Sequence, residues 1–126
     1  MSKKILIVDD DPDLVEAVSM LLEAEGMNPL AAYGGVEGLA RAKADKPDLV
    51  VLDIMMPDKD GYEVAKELAA DDQLSDIPVI MLTAVTEYVG STSYSHGSGK
   101  ELVADDFFEK PVEPEALVKR ILELVA

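Results

Sequence analysis

Residues that could carry out phosphate chemistry stand at or just beyond the ends of four short apolar segments of this sequence. They are Asp9, Asp10, Asp11, Asp53, Thr83 and Lys110. Three carboxylates that pack together would repel one another unless a cation lies between them. In a chain without cysteine, a group of carboxylate oxygens suits Mg2+ or Mn2+. The sequence therefore predicts a metal site if the fold brings these aspartates together.

A carboxylate can also act as a nucleophile toward phosphorus and form an acyl phosphate. The transferring phosphoryl group carries negative charge on its oxygens, so a metal, an ammonium and a hydroxyl donor should surround it. Asp10, Lys110 and Thr83 are of the types that supply these roles. The set as a whole indicates phosphoryl transfer to an aspartate.

The apolar segments that precede these residues are predicted to be buried strands. Residues 5–8, 49–52 and 79–82 are continuously apolar, which is typical of a parallel sheet covered on both faces. Residues 28–33 and 107–108 are weaker candidates that complete a set of five strands. The carboxyl ends of parallel strands share one edge of the sheet, where ligands bind. We therefore expect the polar residues that follow the strands to meet in space.

Helical patterns lie between these strands. Asp11 is a natural N-cap with Pro12 at the first helical position, and Gly26 is expected to end this helix. Apolar residues at helical spacing mark three more helices: Val36, Leu39 and Ala40; then Tyr62, Val64, Ala65 and Leu68; then Leu117, Val118, Ile121, Leu122 and Val125. Strands that alternate with helices in this way predict a doubly wound α/β sheet.

One segment interrupts the alternation. Residues 90–99 contain three glycines and four serines where a fourth helix should lie. Glycine and serine are poor helix formers. We expect an irregular loop there, followed by a short helix over residues 100–104.

The composition limits the partners of the protein. The 126 residues fit one domain, and 26 acidic against 11 basic side chains give a formal charge of −15. Such a surface repels phosphate backbones, so direct binding of nucleic acid is not expected. No apolar stretch approaches the length of a membrane span, and we expect a cytoplasmic protein that does not bind membranes.

The motifs resemble those of the receiver domain of bacterial two-component systems, along nearly the whole chain. The segments that carry the resemblance are ILIVDDD at 5–11, LDIMMP at 52–57 with DG at 60–61, PVIMLTA at 78–84 and KP at 110–111. The resemblance implies a single receiver domain over residues 1–126. It also implies a flavodoxin-like sheet with five parallel strands in the order 2-1-3-4-5.

The same resemblance assigns roles to the residues of the site. Asp53 would be the phosphoacceptor, and the metal ligands would be Asp10, Asp53 and the backbone carbonyl of Met55, with Asp9 acting through water. Thr83 and Lys110 would contact the phosphoryl oxygens. The peptide between Lys110 and Pro111 is a candidate for the cis form.

The resemblance also implies a switch. On phosphorylation Thr83 would move toward the phosphoryl group, and Phe107, an expected core residue, would turn into the space that Thr83 leaves. The phosphoryl donor would be a histidine kinase or a histidine phosphotransfer protein, and the target of the switch would be a downstream protein or an output domain. A homodimer linked to phosphorylation is a further partner that the resemblance allows.

Other functions compete with this interpretation. An aspartyl-phosphate hydrolase would need an aspartate two residues after the nucleophile, where Met55 stands. A flavin carrier would need a phosphate cradle after the first strand instead of three aspartates. A receiver fold that acts without phosphorylation stays open, although Asp53 and Lys110 argue against it. We expect a stand-alone receiver that is a switch and not an enzyme, and the alternative is a segment of a longer regulator.

Overall fold

The computed structural model describes residues 3–84 and 104–126. This part of the chain forms five strands: β1 (Lys4–Val8), β2 (Asn28–Ala32), β3 (Leu49–Asp53), β4 (Val79–Ala84) and β5 (Asp106–Lys110). It also forms four helices: α1 (Pro12–Ala24), α2 (Gly35–Asp45), α3 (Gly61–Ala70) and the C-terminal helix α4 (Pro114–Val125). The predicted loop at 90–99 and nearly all of the short helix predicted at 100–104 lie outside the described residues.

The strands form one parallel sheet in the order β2-β1-β3-β4-β5. This arrangement confirms the predicted doubly wound α/β fold and its strand order. The order reverses between β1 and β3, so the carboxyl ends of these two strands lie beside each other at the centre of the sheet. A crevice at such a reversal is where open α/β sheets bind ligands.

Each face of the sheet carries its own apolar core, because successive side chains of a strand point to opposite faces. On one face, Leu6, Val8, Val50 and Leu52 pack with α2 and α3. On the other face, Ile5, Ile7 and Val51 pack with α1 and the C-terminal helix. Burial on both faces explains why the central strands read as continuous apolar runs in the sequence.

The first helix begins and ends as its sequence predicts. The carboxylate of Asp11 accepts a hydrogen bond from the amide of Asp13 at 3.1 Å, and Pro12 is the first helical residue. After Ala24 the chain turns through Gly26, whose φ of 80° lies in the left-handed region that favours glycine. The helix thus leaves the carboxyl edge directly after the aspartates.

The buried face of α2 differs from the one that its apolar residues suggest. Val36 and Ala40 are exposed, whereas the helix buries Gly35, Gly38, Leu39 and Ala42. A Cβ atom at Gly38 would lie 2.7 Å from the side chain of Val8. The small residues face the sheet because the helix packs too close to it for larger ones.

The expectation that Phe107 lies in the core is wrong for this structure. Its side chain is 37% exposed, whereas Phe108 is partly buried against the core formed with α1 and α4. Neighbouring residues of β5 point to opposite faces of the sheet, and Phe108 is on the face that α1 and α4 cover. In the described part of the chain, each helix is too short or too polar to cross a membrane.

Candidate functional site

The sheet brings the predicted site residues to its carboxyl edge. Asp9 directly follows β1, and Asp53 ends the neighbouring strand β3. Asp53 pairs with Leu82 of β4, so Thr83 lies one residue beyond it on the adjacent strand. Lys110 ends β5 and pairs with Ala84. Residues from four distant parts of the sequence are therefore neighbours because the strands are parallel and in register.

Lys110 connects the two buried carboxylates of this edge. Its Nζ atom lies 3.2 Å from Oδ2 of Asp9 and 3.2 Å from Oδ2 of Asp53. Both aspartates are buried, whereas about a third of the lysine side chain (29%) is exposed. The ammonium of Lys110 is therefore close enough to both carboxylates to bind, as well, an anionic group that is transferred to one of them.

The three carboxylates of Asp9, Asp10 and Asp53 can converge on one ion. One oxygen from each lies within 4.8 Å of the others, with Asp10 exposed toward solvent. Oδ2 of Asp9 is buried and, within residues 3–84 and 104–126, receives no hydrogen bond, although Lys110 is its ionic neighbour. A buried carboxylate oxygen in this state suits a cation, and an all-oxygen site suits Mg2+ or Mn2+. The residues present thus fit a hard divalent metal.

The charges at this edge change the proton affinities of Asp53 and Lys110. Burial and then the negative charge of Asp9 raise the pKa of Asp53 to about 6, against an opposing effect of Lys110. Burial by itself lowers the pKa of Lys110, but the charges of Asp53 and Asp9 outweigh it and raise the pKa above its ordinary value. Lys110 is therefore a permanent ammonium, while the ionisation of Asp53 depends on its surroundings.

Thr83 and Phe107 lie on the same face of the sheet. Phe107 pairs with Met81 across β4 and β5, and Thr83 follows Met81 by two residues. Thr83 is buried and Phe107 is exposed. The structure thus places the two predicted switch residues near each other, with the aromatic side chain turned outward.

The chain after Asp53 is held close to the strand by a glycine. The amide of Met55 donates to Oδ1 of Asp53 at 3.2 Å, and the amide of Gly61 donates to the carbonyl of Ile54 at 3.0 Å. A Cβ atom at Gly61 would lie 2.1 Å from the carbonyl oxygen of Asp53. Only glycine fits at the start of α3 because the helix begins against the backbone of the predicted phosphoacceptor.

The sequence analysis missed Asp58, which lies in the loop between β3 and α3. Its carboxylate accepts hydrogen bonds from the amides of Gly35 at 3.0 Å and Val36 at 3.1 Å, at the start of α2. These bonds, first that from Gly35, lower the pKa of Asp58. The Gly34-Gly35 pair was the signal available in the sequence, but nothing there linked it to Asp58.

A family comparison agrees with this geometry. The model of the response regulator receiver domain matches residues 5–122. The chain belongs to this family. The receiver is 40% identical over 121 residues to the alkaline phosphatase synthesis transcriptional regulatory protein PhoP of Bacillus subtilis, a match that covers 96% of this chain and 48% of that protein. It is 39% identical to the DNA-binding response regulator MtrA of Mycolicibacterium smegmatis, over 96% of this chain and 50% of that one.

Solved receivers have the same fold. A chemotaxis response regulator of Vibrio cholerae superimposes with a TM-score of 0.84 at 30% identity, over 98% of this chain and 99% of that one. The response regulator TrrA of Thermotoga maritima, in complex with Mg2+-BeF, gives 0.78 at 33% identity, over 97% and 98% of the two chains. The receiver spans about half the length of the curated relatives named above.

Proposed function

We propose that this protein is a phosphorylation-dependent signalling switch of a two-component system, which accepts a phosphoryl group on Asp53 with the help of Mg2+ or Mn2+. The observation that carries the proposal is the position of Lys110, whose ammonium lies 3.2 Å from both Asp9 and Asp53 beside a third carboxylate, Asp10. Membership of the receiver family supports the same conclusion. We propose one receiver domain over residues 1–126.

In the proposed reaction a carboxylate oxygen of Asp53 attacks the phosphorus of a phosphohistidine. The new O–P bond forms as the P–N bond breaks. The imidazole nitrogen keeps the electron pair of the broken bond and can take a proton from solvent. Asp10, Asp53 and the backbone carbonyl of Met55, with Asp9 acting through water, would hold the metal, and a bound metal would supply positive charge to the phosphoryl oxygens.

The residues of the chain supply the remaining stabilisation. Lys110 shifts its ion pair from Asp53 to a phosphoryl oxygen, since phosphorylation removes the charge from that carboxylate. The hydroxyl of Thr83 donates to another phosphoryl oxygen. The carboxylate of Asp53 is the nucleophile only when it is ionised, and both Lys110 and a divalent cation favour that form.

The proposed signal passes from the phosphoryl group to the surface through Thr83 and Phe107. Movement of Thr83 toward the phosphoryl group opens space on the face of β4 that Phe107 shares. The exposed ring gains buried apolar area when it turns into this space, which favours the phosphorylated conformation. The two orientations of Phe107 are then the two states of the switch.

We propose a histidine kinase or a histidine phosphotransfer protein as the donor, in the cytoplasm. The target is a downstream protein or an output domain, and a homodimer linked to phosphorylation is a further proposed partner. PhoP and MtrA are named as transcriptional and DNA-binding regulators. In this chain a formal charge of −15 argues against direct contact with nucleic acid. We propose that the protein acts as a switch and has no enzymatic activity of its own.

The test is incubation of the protein with acetyl phosphate and Mg2+, followed by intact mass measurement. We expect one phosphoryl adduct on the wild type and on Asp72→Asn, a matched change of an exposed carboxylate next to α3, and none on Asp53→Asn. EDTA should abolish the adduct, and Mn2+ should restore it. An unmodified wild type, or equal adducts on the wild type and Asp53→Asn, would overturn the assignment.

A further inference from the structure

The loop between β3 and α3 is joined to the start of α2 through one side chain. Gly34 is the N-cap of α2, and because glycine has no side chain it leaves the first amides of the helix without a local acceptor. The carboxylate of Asp58 takes this place from another part of the chain, with Oδ1 on the Gly35 amide and Oδ2 on the Val36 amide. The negative charge also lies at the positive end of the helix dipole.

The two glycines allow this contact. A Cβ atom at Gly35 would come within 2.4 Å of the carbonyl oxygen of Lys59, and one at Gly34 would lie 3.0 Å from Oδ2 of Asp58. The φ angle of Gly34 is −162°, an extended conformation open to any residue. Space, and not backbone conformation, therefore limits the side chains that these two positions can carry. The close approach of Gly35 to the backbone of Lys59 is a second sign, independent of the hydrogen bonds, that the loop packs on α2.

The contact bears on the proposed metal site because of what the loop contains. Its ends are fixed, since the Ile54 amide donates to the Leu82 carbonyl at 2.9 Å and the Gly61 amide donates to the Ile54 carbonyl at 3.0 Å. Met55, the proposed carbonyl ligand, stands between these ends. Another link from this loop is the ion pair of the half-buried Lys59 with the exposed Glu67, which is open to solvent on one side and contributes little.

We propose that Asp58 is a positioning residue for the phosphorylation site, which acts by holding the β3–α3 loop against α2 so that the backbone of Met55 keeps its place beside Asp53. The inference rests on the proposed function, because it concerns the metal and phosphoryl site proposed above. Loss of the two hydrogen bonds frees the middle of the loop while its two ends stay attached. The Met55 carbonyl then has to be ordered each time a metal binds, and affinity for the metal falls.

The experiment compares Mg2+ binding by isothermal titration calorimetry with the rate of phosphorylation by acetyl phosphate, on the full chain. We expect Asp58→Ala to weaken the Kd for Mg2+ about tenfold, the low end of the effect of contacts that orient metal ligands. The phosphorylation rate should fall in proportion at low Mg2+ and recover at saturating Mg2+. A merely structural role of Asp58 would lower the Tm and leave the Kd for Mg2+ unchanged.

Three variants separate the causes. Asp71→Ala is the matched control, since Asp71 also accepts a backbone amide, that of Gln73, but lies at the other end of α3. It should leave the Kd within about twofold, well below the change expected at Asp58. Asp58→Asn keeps one oxygen acceptor but turns an amide donor toward the second backbone N–H, so its Kd for Mg2+ should lie between those of the wild type and Asp58→Ala. Gly35→Ala keeps every charge but pushes Lys59 away, so it should weaken Mg2+ binding as Asp58→Ala does.

A Kd for Mg2+ in Asp58→Ala equal to that of the wild type would overturn the inference. So would an equal weakening in Asp58→Ala and Asp71→Ala, because both variants remove one negative charge and only the first removes the contact with α2. If Gly35→Ala does not fold, the comparison of Asp58→Ala with Asp71→Ala decides the matter. Failure of the proposed function looks different, because then neither the wild type nor Asp71→Ala takes a phosphoryl group.

Discussion

The pKa values of two aspartates of this receiver are shifted in opposite directions because their carboxylates have different surroundings. Asp53 is buried beside Asp9, and these surroundings raise its pKa to about 6, whereas the exposed carboxylate of Asp58 accepts backbone hydrogen bonds that lower its pKa. Asp53 is thus held ionised at the expense of folding stability. Side chains whose pKa is shifted by burial and by a neighbouring charge are common at reactive sites.

The raised pKa of Asp53 predicts that Asp53→Asn stabilises the protein at neutral pH. The unfolded carboxyl titrates near 3.8 and the folded one at about 6, so between these values the folded chain holds a proton that the unfolded chain has released. Stability is full below the lower value and is lost as the pH rises through the upper one. In EDTA we expect Asp53→Asn to have a larger free energy of unfolding than the wild type at pH 7, by about 1–3 kcal/mol.

Urea unfolding of both proteins across this pH range measures the difference. The two curves should meet near pH 4, where the wild-type carboxyl is protonated, and Asp72→Asn should follow the wild type throughout. A gap that is independent of pH would contradict the prediction.

At the level of the elements, the site depends on how closely α3 approaches β3. Gly61 is the first residue of this helix, and a Cβ atom added to it would lie 2.1 Å from the carbonyl oxygen of Asp53. Gly26 is a glycine for a different reason, since it has a φ of 80° and no atoms within 4 Å of an added Cβ. One glycine provides space at the site and the other provides a turn far from it.

We predict that Gly61→Ala and Gly26→Ala both destabilise the fold but differ in phosphorylation. Gly61→Ala should cost about 1–3 kcal/mol by overpacking and should slow phosphorylation, because the helix must move away from Asp53. Gly26→Ala should cost about 1 kcal/mol through its left-handed backbone and leave the reaction rate unchanged. Thermal unfolding and acetyl phosphate labelling test the pair, and equal rates in the two variants would argue against the role given to Gly61.

At the scale of the whole molecule, the formal charge of −15 opposes folding through self-repulsion, and it also attracts cations to the acidic edge. These two effects respond differently to salt. General screening acts on every exposed carboxylate, whereas a divalent ion at the proposed site would act where Asp9, Asp10 and Asp53 converge.

We predict that NaCl raises the Tm of the wild type and of Asp53→Asn alike, because screening does not depend on the site. At constant ionic strength, Mg2+ at 100 times its Kd should stabilise the wild type by about 2.7 kcal/mol and Asp53→Asn much less. Thermal unfolding in matched NaCl and MgCl2 series measures both effects. An equal response of the two proteins to Mg2+ would mean that the ion acts by screening and not at the site.

Much of this receiver could be predicted because its signals are local. The continuous apolar runs indicated parallel strands, Asp11 and Pro12 indicated the start of α1, and polar residues at the strand ends indicated the edge where they meet. Strand order and site chemistry followed from the resemblance of these motifs to receivers. The types and order of Asp9, Asp10, Asp53, Thr83 and Lys110 are properties of the sequence alone.

Tertiary structure decided what depends on contacts between distant segments. The exposure of Phe107, the small residues on the buried face of α2 and the acceptor that Asp58 provides to that helix all result from the packing of elements far apart in the chain. The same is true of the pKa of Asp53, which depends on its burial and on the charge of Asp9. Sequence specifies which groups are present, but energies of burial and of charge depend on distance, and only the folded chain fixes the distances.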